Sequence, residues 1–192
     1  SLISDGTDYE KTLFEMYKIP YNRRDTALFN KRLKIGQKLS DLHPKLVDPL
    51  ITLARQLPNH STIKEWRSLR KKSLLSALKI DPNNLVASEE LFFFNYGGTG
   101  NSIRFRTDKE FYNLFDSDAQ KLISKFPNSP RVLRRVANIY RNSYDYVDAT
   151  RYEKSLETYD KLLLILKSSE SSFMFDSFKG KADLLINIDR RK

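Results

Sequence analysis

Two proline-bearing helix stops constrain this chain more than any other feature. They are Asp81–Pro82–Asn83–Asn84 and Phe126–Pro127–Asn128–Ser129–Pro130, with Pro82 and Pro127 45 residues apart. Each stop follows an apolar helix end, SALKI or LISKF. Each precedes a new helical run, LVASEELFFFNY or PRVLRRVANIY. Proline lacks a backbone donor and clashes with the preceding turn, so a helix ends before it. Asn and Ser side chains just beyond can accept the free N–H groups of the next helix. The chain is therefore built of helices joined by short turns.

The same punctuation divides the remainder. Asp8–Lys18 reads as a short helix stopped near Pro20. Asp25 caps a second over Thr26–Ser40, ended by His43–Pro44. Leu46–Leu57 is a third, with Pro49 in its first turn, where proline is tolerated. Ser61 and Thr62 open a fourth to Ile80, with Ile63, Trp66, Leu69, Leu74, Ala77 and Leu78 as its apolar positions. Leu85–Tyr96, Asp108–Lys125, Arg131–Asn142 and Tyr152–Lys167 follow. The last helix spans about Ser172–Ile188, with Gly180 inside it or at a close helix contact. The one strand candidate is Ser102–Arg106, where Ile103 and Phe105 alternate with polar residues. The expectation is an all-α chain of about nine helices.

A length of 192 residues, 40% of them hydrophobic and 12% aromatic, supports a folded core. The longest apolar run is Leu162–Leu166, far below the roughly 18 residues of a membrane span, so a soluble chain is expected. The absence of cysteine excludes disulfides, thiolate catalysis and zinc–cysteine sites. It suits cytoplasm and periplasm alike. The opening SLISDG has no initiator methionine and no apolar signal segment, so processing or export stays open beside a cytoplasmic location.

The net charge is +10 and unevenly placed. Residues 21–80 carry 14 basic and 4 acidic side chains, while residues 1–20 net −2 and residues 81–192 net +2. Such a segment steers toward nucleic acid, anionic lipid or an acidic partner. It also fits a solvated basic helix face.

The stretch LFFFNYGGTGNS, residues 91–102, raises the question of phosphate binding. A Walker loop needs G-x-x-x-x-G-K-[ST], and no lysine follows these glycines. Gly98–Thr99–Gly100 lacks the third glycine of a dinucleotide loop, and LFFFNY continues a helix rather than a strand. The glycines are expected to end that helix through a left-handed turn. The following loop, with Ile103 and Phe105, is expected to fold back over the domain or to join a partner surface. His43 and His60 lie apart, without ligand spacing. Glu89 and Glu90 read as first-turn acids, and Asp116 and Asp118 as ordinary helix surface. No nucleophile, base and oxyanion donor assemble, so a non-enzyme without cofactor or metal is expected.

The helix after the second stop places Leu133, Val136, Ala137 and Tyr140 where a tetratricopeptide repeat has its large, Leu–Gly and Tyr positions. Ser155, Tyr159 and Leu162 fit the second helix of that repeat, and Leu74 and Ala77 fit before Pro82. Residues 70–167 thus resemble the tetratricopeptide repeat family. Residues 1–69 stand as irregular basic helices and 168–192 as a capping helix. In the unit between the stops, Leu91 fits, Phe92 takes the small position and Asn95 the Tyr position. The proline spacing exceeds the usual repeat of about 34 by about 11 residues, and the surplus falls on the glycine stretch.

The resemblance implies antiparallel helix pairs stacked as a short α-solenoid whose first helices line a groove. It implies a scaffold or adaptor that binds a peptide or partner protein there. The matching face carries Arg131, Arg134, Arg135, Asn138 and Arg141, suited to a carboxylate or acidic peptide. Glu90 stands on the equivalent helix of the previous unit, where an asparagine would complete a carboxylate clamp. The alternative reading is nucleic-acid binding through 21–80. Lys64, Arg67, Lys71 and Lys72, with Arg70 and with Arg23, Arg24, Lys31, Arg32, Lys34 and Lys38, would track phosphates. Tyr21 or Trp66 would stack on bases, although Trp66 also reads as core.

Overall fold

The structure, a computed structural model, describes residues 7–20, 26–57, 64–97, 101–143, 150–166, 177–183 and 185–186. Regular secondary structure among them is entirely α-helical. The chain forms two compact units, Ser1–Leu91 and Phe92–Lys192.

The first unit contains α1 (Asp8–Lys18), α2 (Thr26–Leu42), α3 (Val47–Gln56), α4 (Lys64–Ile80) and the start of α5 (Leu85–Tyr96). The positions expected to open the second and fourth helices, Asp25, Ser61 and Thr62, lie outside the described residues. Thr7 caps α1 reciprocally. Its hydroxyl accepts from the Glu10 N–H at 3.3 Å and its own N–H donates to the Glu10 carboxylate at 2.8 Å. Each of the first three helices packs on the next. At Gly36 on α2 a Cβ would lie 3.5 Å from Leu53 and 3.6 Å from Met16, so α1 and α3 both close on the same turn. Leu50, Ile51, Ala77 and Ala87 form a core shared by α3, α4 and α5. The first stop works as its residues require. Asp81 accepts from the Asn83 N–H at 3.0 Å, and Asn84 from the Ala87 N–H at 3.0 Å.

The second unit contains the rest of α5, then α6 (Asn101–Thr107), α7 (Lys109–Lys125), α8 (Pro130–Asn142) and α9 (Thr150–Ile165), with residues 177–183 also helical. Helix α6 replaces the strand candidate at Ser102–Arg106. Five alternating residues offer no partner strand to pair with, whereas the Asn101 amide reaches back to the Asn95 carbonyl at 3.1 Å and starts a helical turn. Phe105 is buried and Ile103 is 69% exposed, on opposite sides of that turn. Between α5 and α7 the chain therefore adds one short helix. Gly97 shows no left-handed backbone. A Cβ there would meet the Phe93 ring at 2.2 Å, so close approach is what calls for glycine. Gly98 and Gly100 lie outside the described residues.

The crowded phenylalanines serve an aromatic core. Phe115 is fully buried and touches Phe92, Tyr96, Phe105, Tyr112 and Tyr140, with the Tyr140 ring 4.8 Å away. Tilted and edge contacts of this kind add to the burial of apolar area. Arg151 closes the cluster at 6% exposure. Its guanidinium lies 3.8 Å from the Tyr112 ring centre and donates to the carbonyls of Phe105 at 2.6 Å and Ser143 at 2.7 Å.

Asp116 and Asp118 are half-buried, not ordinary surface. Asp116 accepts from the Tyr140 hydroxyl at 2.5 Å and from Lys154 at 2.7 Å. Asp118 accepts from the Tyr96 hydroxyl at 2.7 Å. Burial first, and the neighbouring carboxylate second, push both tyrosine hydroxyls far above their ordinary range. Helices α8 and α9 pair through Leu133, Ala137, Tyr159, Leu162 and Leu166. The small residues let the helices close until the Ser155 hydroxyl donates to the Ala137 carbonyl at 2.9 Å.

Candidate partner-binding faces

Helix α8 owes its direction to Ser129, whose hydroxyl accepts from the Val132 N–H at 3.4 Å, and to Pro130 in its first turn. Val132, Leu133, Val136, Ala137, Ile139 and Tyr140 are buried. Arg131, Arg134, Arg135, Asn138 and Arg141 fill the remaining arc, and all five are half-buried. Arg131, Arg135 and Asn138 share one side by helical spacing. The Arg135 guanidinium lies over the Phe93 ring, 4.4 Å from its centre, a cation–π contact. Asn138 accepts from the Tyr159 hydroxyl at 2.6 Å. Arg141 is 3.9 Å from Asp183.

That last contact belongs to the helical residues 177–183. A Cβ at Gly180 would fall 2.5 Å from the Tyr159 hydroxyl, and Lys181 pairs with Asp160. The final helix therefore lies against α9 and reaches one end of the α8 arginine row. Burial raises the Tyr159 hydroxyl above its usual range, with Arg141 and Arg134 opposing. The rest of the expected Ser172–Ile188 helix lies mostly outside the described residues.

On α4 the basic residues divide. Arg67, Lys71 and Lys72 are exposed, whereas the Lys64 side chain lies outside the described residues. Arg70 and Arg32 do not track phosphates. Arg70 is buried, donating to the Leu57 carbonyl and, at 2.7 Å, to Glu90. Arg32 is buried, donating to the Ile19 carbonyl and to the Gln56 amide oxygen at 2.6 Å. Both sit on the inward stripes of their helices, where long cationic side chains cap carbonyls left by a helix end. Glu89 and Glu90 are likewise buried, and they lie beyond the first turn of α5, so they are not the first-turn acids expected. Arg55 also approaches Glu90, at 3.6 Å. Trp66 is half-buried, its ring 4.6 Å from Phe29. Lys31, Lys34 and Lys38 are exposed on α2, and Tyr21, Arg23 and Arg24 lie outside the described residues.

Sequence reasoning missed one residue on α4. Leu75 is 48% exposed and lies in an open depression of about 370 Å³ with Ser68, Lys71, Lys72, Ser76 and Lys79. Its signal was its place beside Leu74, which faces inward, since adjacent helical residues diverge by roughly 100°.

His43 packs edge-on to Tyr9 at 5.4 Å, and His60 lies outside the described residues. Among the described residues no group of three or more His, Asp or Glu is placed to hold a metal ion. None of their helices is long and apolar enough to cross a membrane.

No protein-family model matches the chain, and no curated protein matches it. Among solved structures, the crystal structure of MamA protein, which contains tetratricopeptide repeats, is similar. The match covers 95% of this chain and 91% of that chain at a TM-score of 0.50 and 13% identity. The likeness is one of fold: the chain is all-α, with the paired-helix architecture of a tetratricopeptide-like protein.

Proposed function

We propose that the chain is a protein–protein interaction module that binds an acidic peptide segment of a partner through the α8 face. One observation carries this reading. A row of four arginines and one asparagine projects from a helix whose other side is locked into the α8–α9 core. Half-buried guanidinium groups have lost part of their hydration, which favours charge-assisted bonds to carboxylates. A helix already held rigid needs little further ordering on binding. Tetratricopeptide-like folds present the first helix of each pair to ligands, and α8 holds that position.

Peptide display against the immobilised chain tests the proposal. Selected peptides are expected to be rich in Asp and Glu. They should lose about tenfold or more in affinity for an Arg131→Glu, Arg135→Glu double variant that keeps its helical circular dichroism. Selection of peptides that bind both proteins equally would place the binding face elsewhere.

A further inference from the structure

We propose that the outer face of α4 is a second docking surface, and that its occupant is an acidic amphipathic helix of a protein partner. The inference rests on the reading of the chain as an interaction module, but it uses another helix and another chemistry.

Ser68, Lys72, Leu75 and Lys79 recur at i, i+4, i+7 and i+11, so they form one stripe along α4. Lys71 and Ser76 flank it, and the six together line the depression. The opposite stripe, Arg70, Ser73, Leu74 and Ala77, is buried, so α4 cannot turn to hide Leu75. Lysine stems supply apolar walls around that leucine while their ammonium heads stay in water. Lys71, Lys72 and Lys79 enter no ion pair among the described residues.

Charge complementarity selects the partner's sign, because residues 21–80 hold a net +10. The apolar centre selects its shape. A phosphate backbone gains nothing from Leu75, and no aromatic ring lines the depression to stack on a base. Glu65 at the N-terminal end of the face, beside Ser68 and Lys72, further disfavours a continuous phosphate track. An amphipathic helix answers both demands. One of its apolar residues covers Leu75, and carboxylates a turn to either side reach the lysines.

The test uses fluorescence anisotropy with a labelled helix-forming peptide of about 18 residues, Leu on one stripe and Glu elsewhere. Its partner probe is a scrambled peptide of the same composition. A mixed-sequence single-stranded DNA and vesicles of phosphatidylserine and phosphatidylcholine complete the set. The amphipathic peptide is expected to bind about tenfold or more tightly than the scrambled one. Leu75→Asp should weaken it by about tenfold or more, as should Lys71→Glu with Lys72→Glu, while Leu75→Ile leaves it unchanged. The Arg131→Glu, Arg135→Glu protein should bind it normally. All substituted α4 positions are exposed, and circular dichroism checks that each variant stays folded.

Equal binding of the scrambled peptide, or no binding of either, would overturn the proposal. Tighter binding of DNA or vesicles, lost in the same α4 variants, would overturn it too. Loss of the peptide only in the α8 variant would overturn the α4 surface while leaving the α8 reading intact. Loss only in the α4 variants upholds the α4 surface whatever becomes of α8.

Discussion

The Arg70 guanidinium donates to the Glu90 carboxylate at 2.7 Å, with both side chains less than a tenth exposed. A second nitrogen of the same group donates to the Leu57 carbonyl, so the pair ties the end of α3 to α4 and α5. Removing one member of a buried pair strands the other's charge, at a cost of about 3–5 kcal/mol. Glu90→Gln and Arg70→Met are each expected to destabilise by that order in urea titrations followed by circular dichroism. The double variant should cost less than the two single changes together. A single change that leaves the midpoint in place would contradict this role. Glu90 therefore departs from a peptide clamp because it is spent on the core.

Arg151 is expected to resist conservative replacement. One guanidinium nitrogen serves both carbonyls while the planar group lies over the Tyr112 ring. A lysine cannot reproduce that planar contact, and a buried carbonyl left unsatisfied costs about 1–3 kcal/mol. Arg151→Lys should lower the thermal midpoint by several degrees, on the order of 2–4 °C per kcal/mol for a chain of this size. An unchanged midpoint would contradict the assignment.

Tyr140 gives a pH dependence whose sign follows from its surroundings. Its hydroxyl is raised above the ordinary 10.0 by burial and by Asp116. The folded state therefore favours the protonated phenol. That stability is fully present below pH 10.0 and is lost as pH rises toward the folded value. Tyr140→Phe should cost about 1 kcal/mol near neutral pH and less above pH 10.0. Urea midpoints of both proteins at pH 8 and pH 11 measure the difference. A gap that widens in alkali would have the wrong sign.

Gly180 marks the closest approach of the final helix to α9. Gly180→Ala should displace residues 177–183, because the nearest atoms belong to a Tyr159 ring tethered to Asn138. Overpacking of this kind costs about 1–3 kcal/mol. Amide hydrogen exchange in 177–183 should quicken while α8 stays protected. Unaltered exchange would mean that the ring yields without cost.

The helices were legible because their limits are written in proline and capping residues. Leu85–Tyr96 matches its expected span, and Asp108 and Ser129 act as caps where the turns required them. Ala137, Ser155 and Tyr159 were legible as a close helix contact because small and large residues must alternate where two helices meet. The extra helix α6 was not, since five residues are too few to show whether a period is two or 3.6. Nor were the buried roles of Arg32, Arg70 and Glu90. A charged residue's partner 20 residues away leaves no local mark in the sequence. The α8 row could be read as one face from spacing, but its tethers to Phe93, Tyr159 and Asp183 depend on how other elements fold back.

The arginine face of α8 is proposed to receive an acidic peptide. The most direct measurement is a titration of the isotope-labelled chain with a display-selected acidic peptide, read residue by residue from amide NMR shifts. The largest changes are expected at Arg131, Arg134, Arg135, Asn138 and Arg141, saturating together with one affinity. Saturating shifts confined to other elements, with these five amides unmoved, would contradict the account.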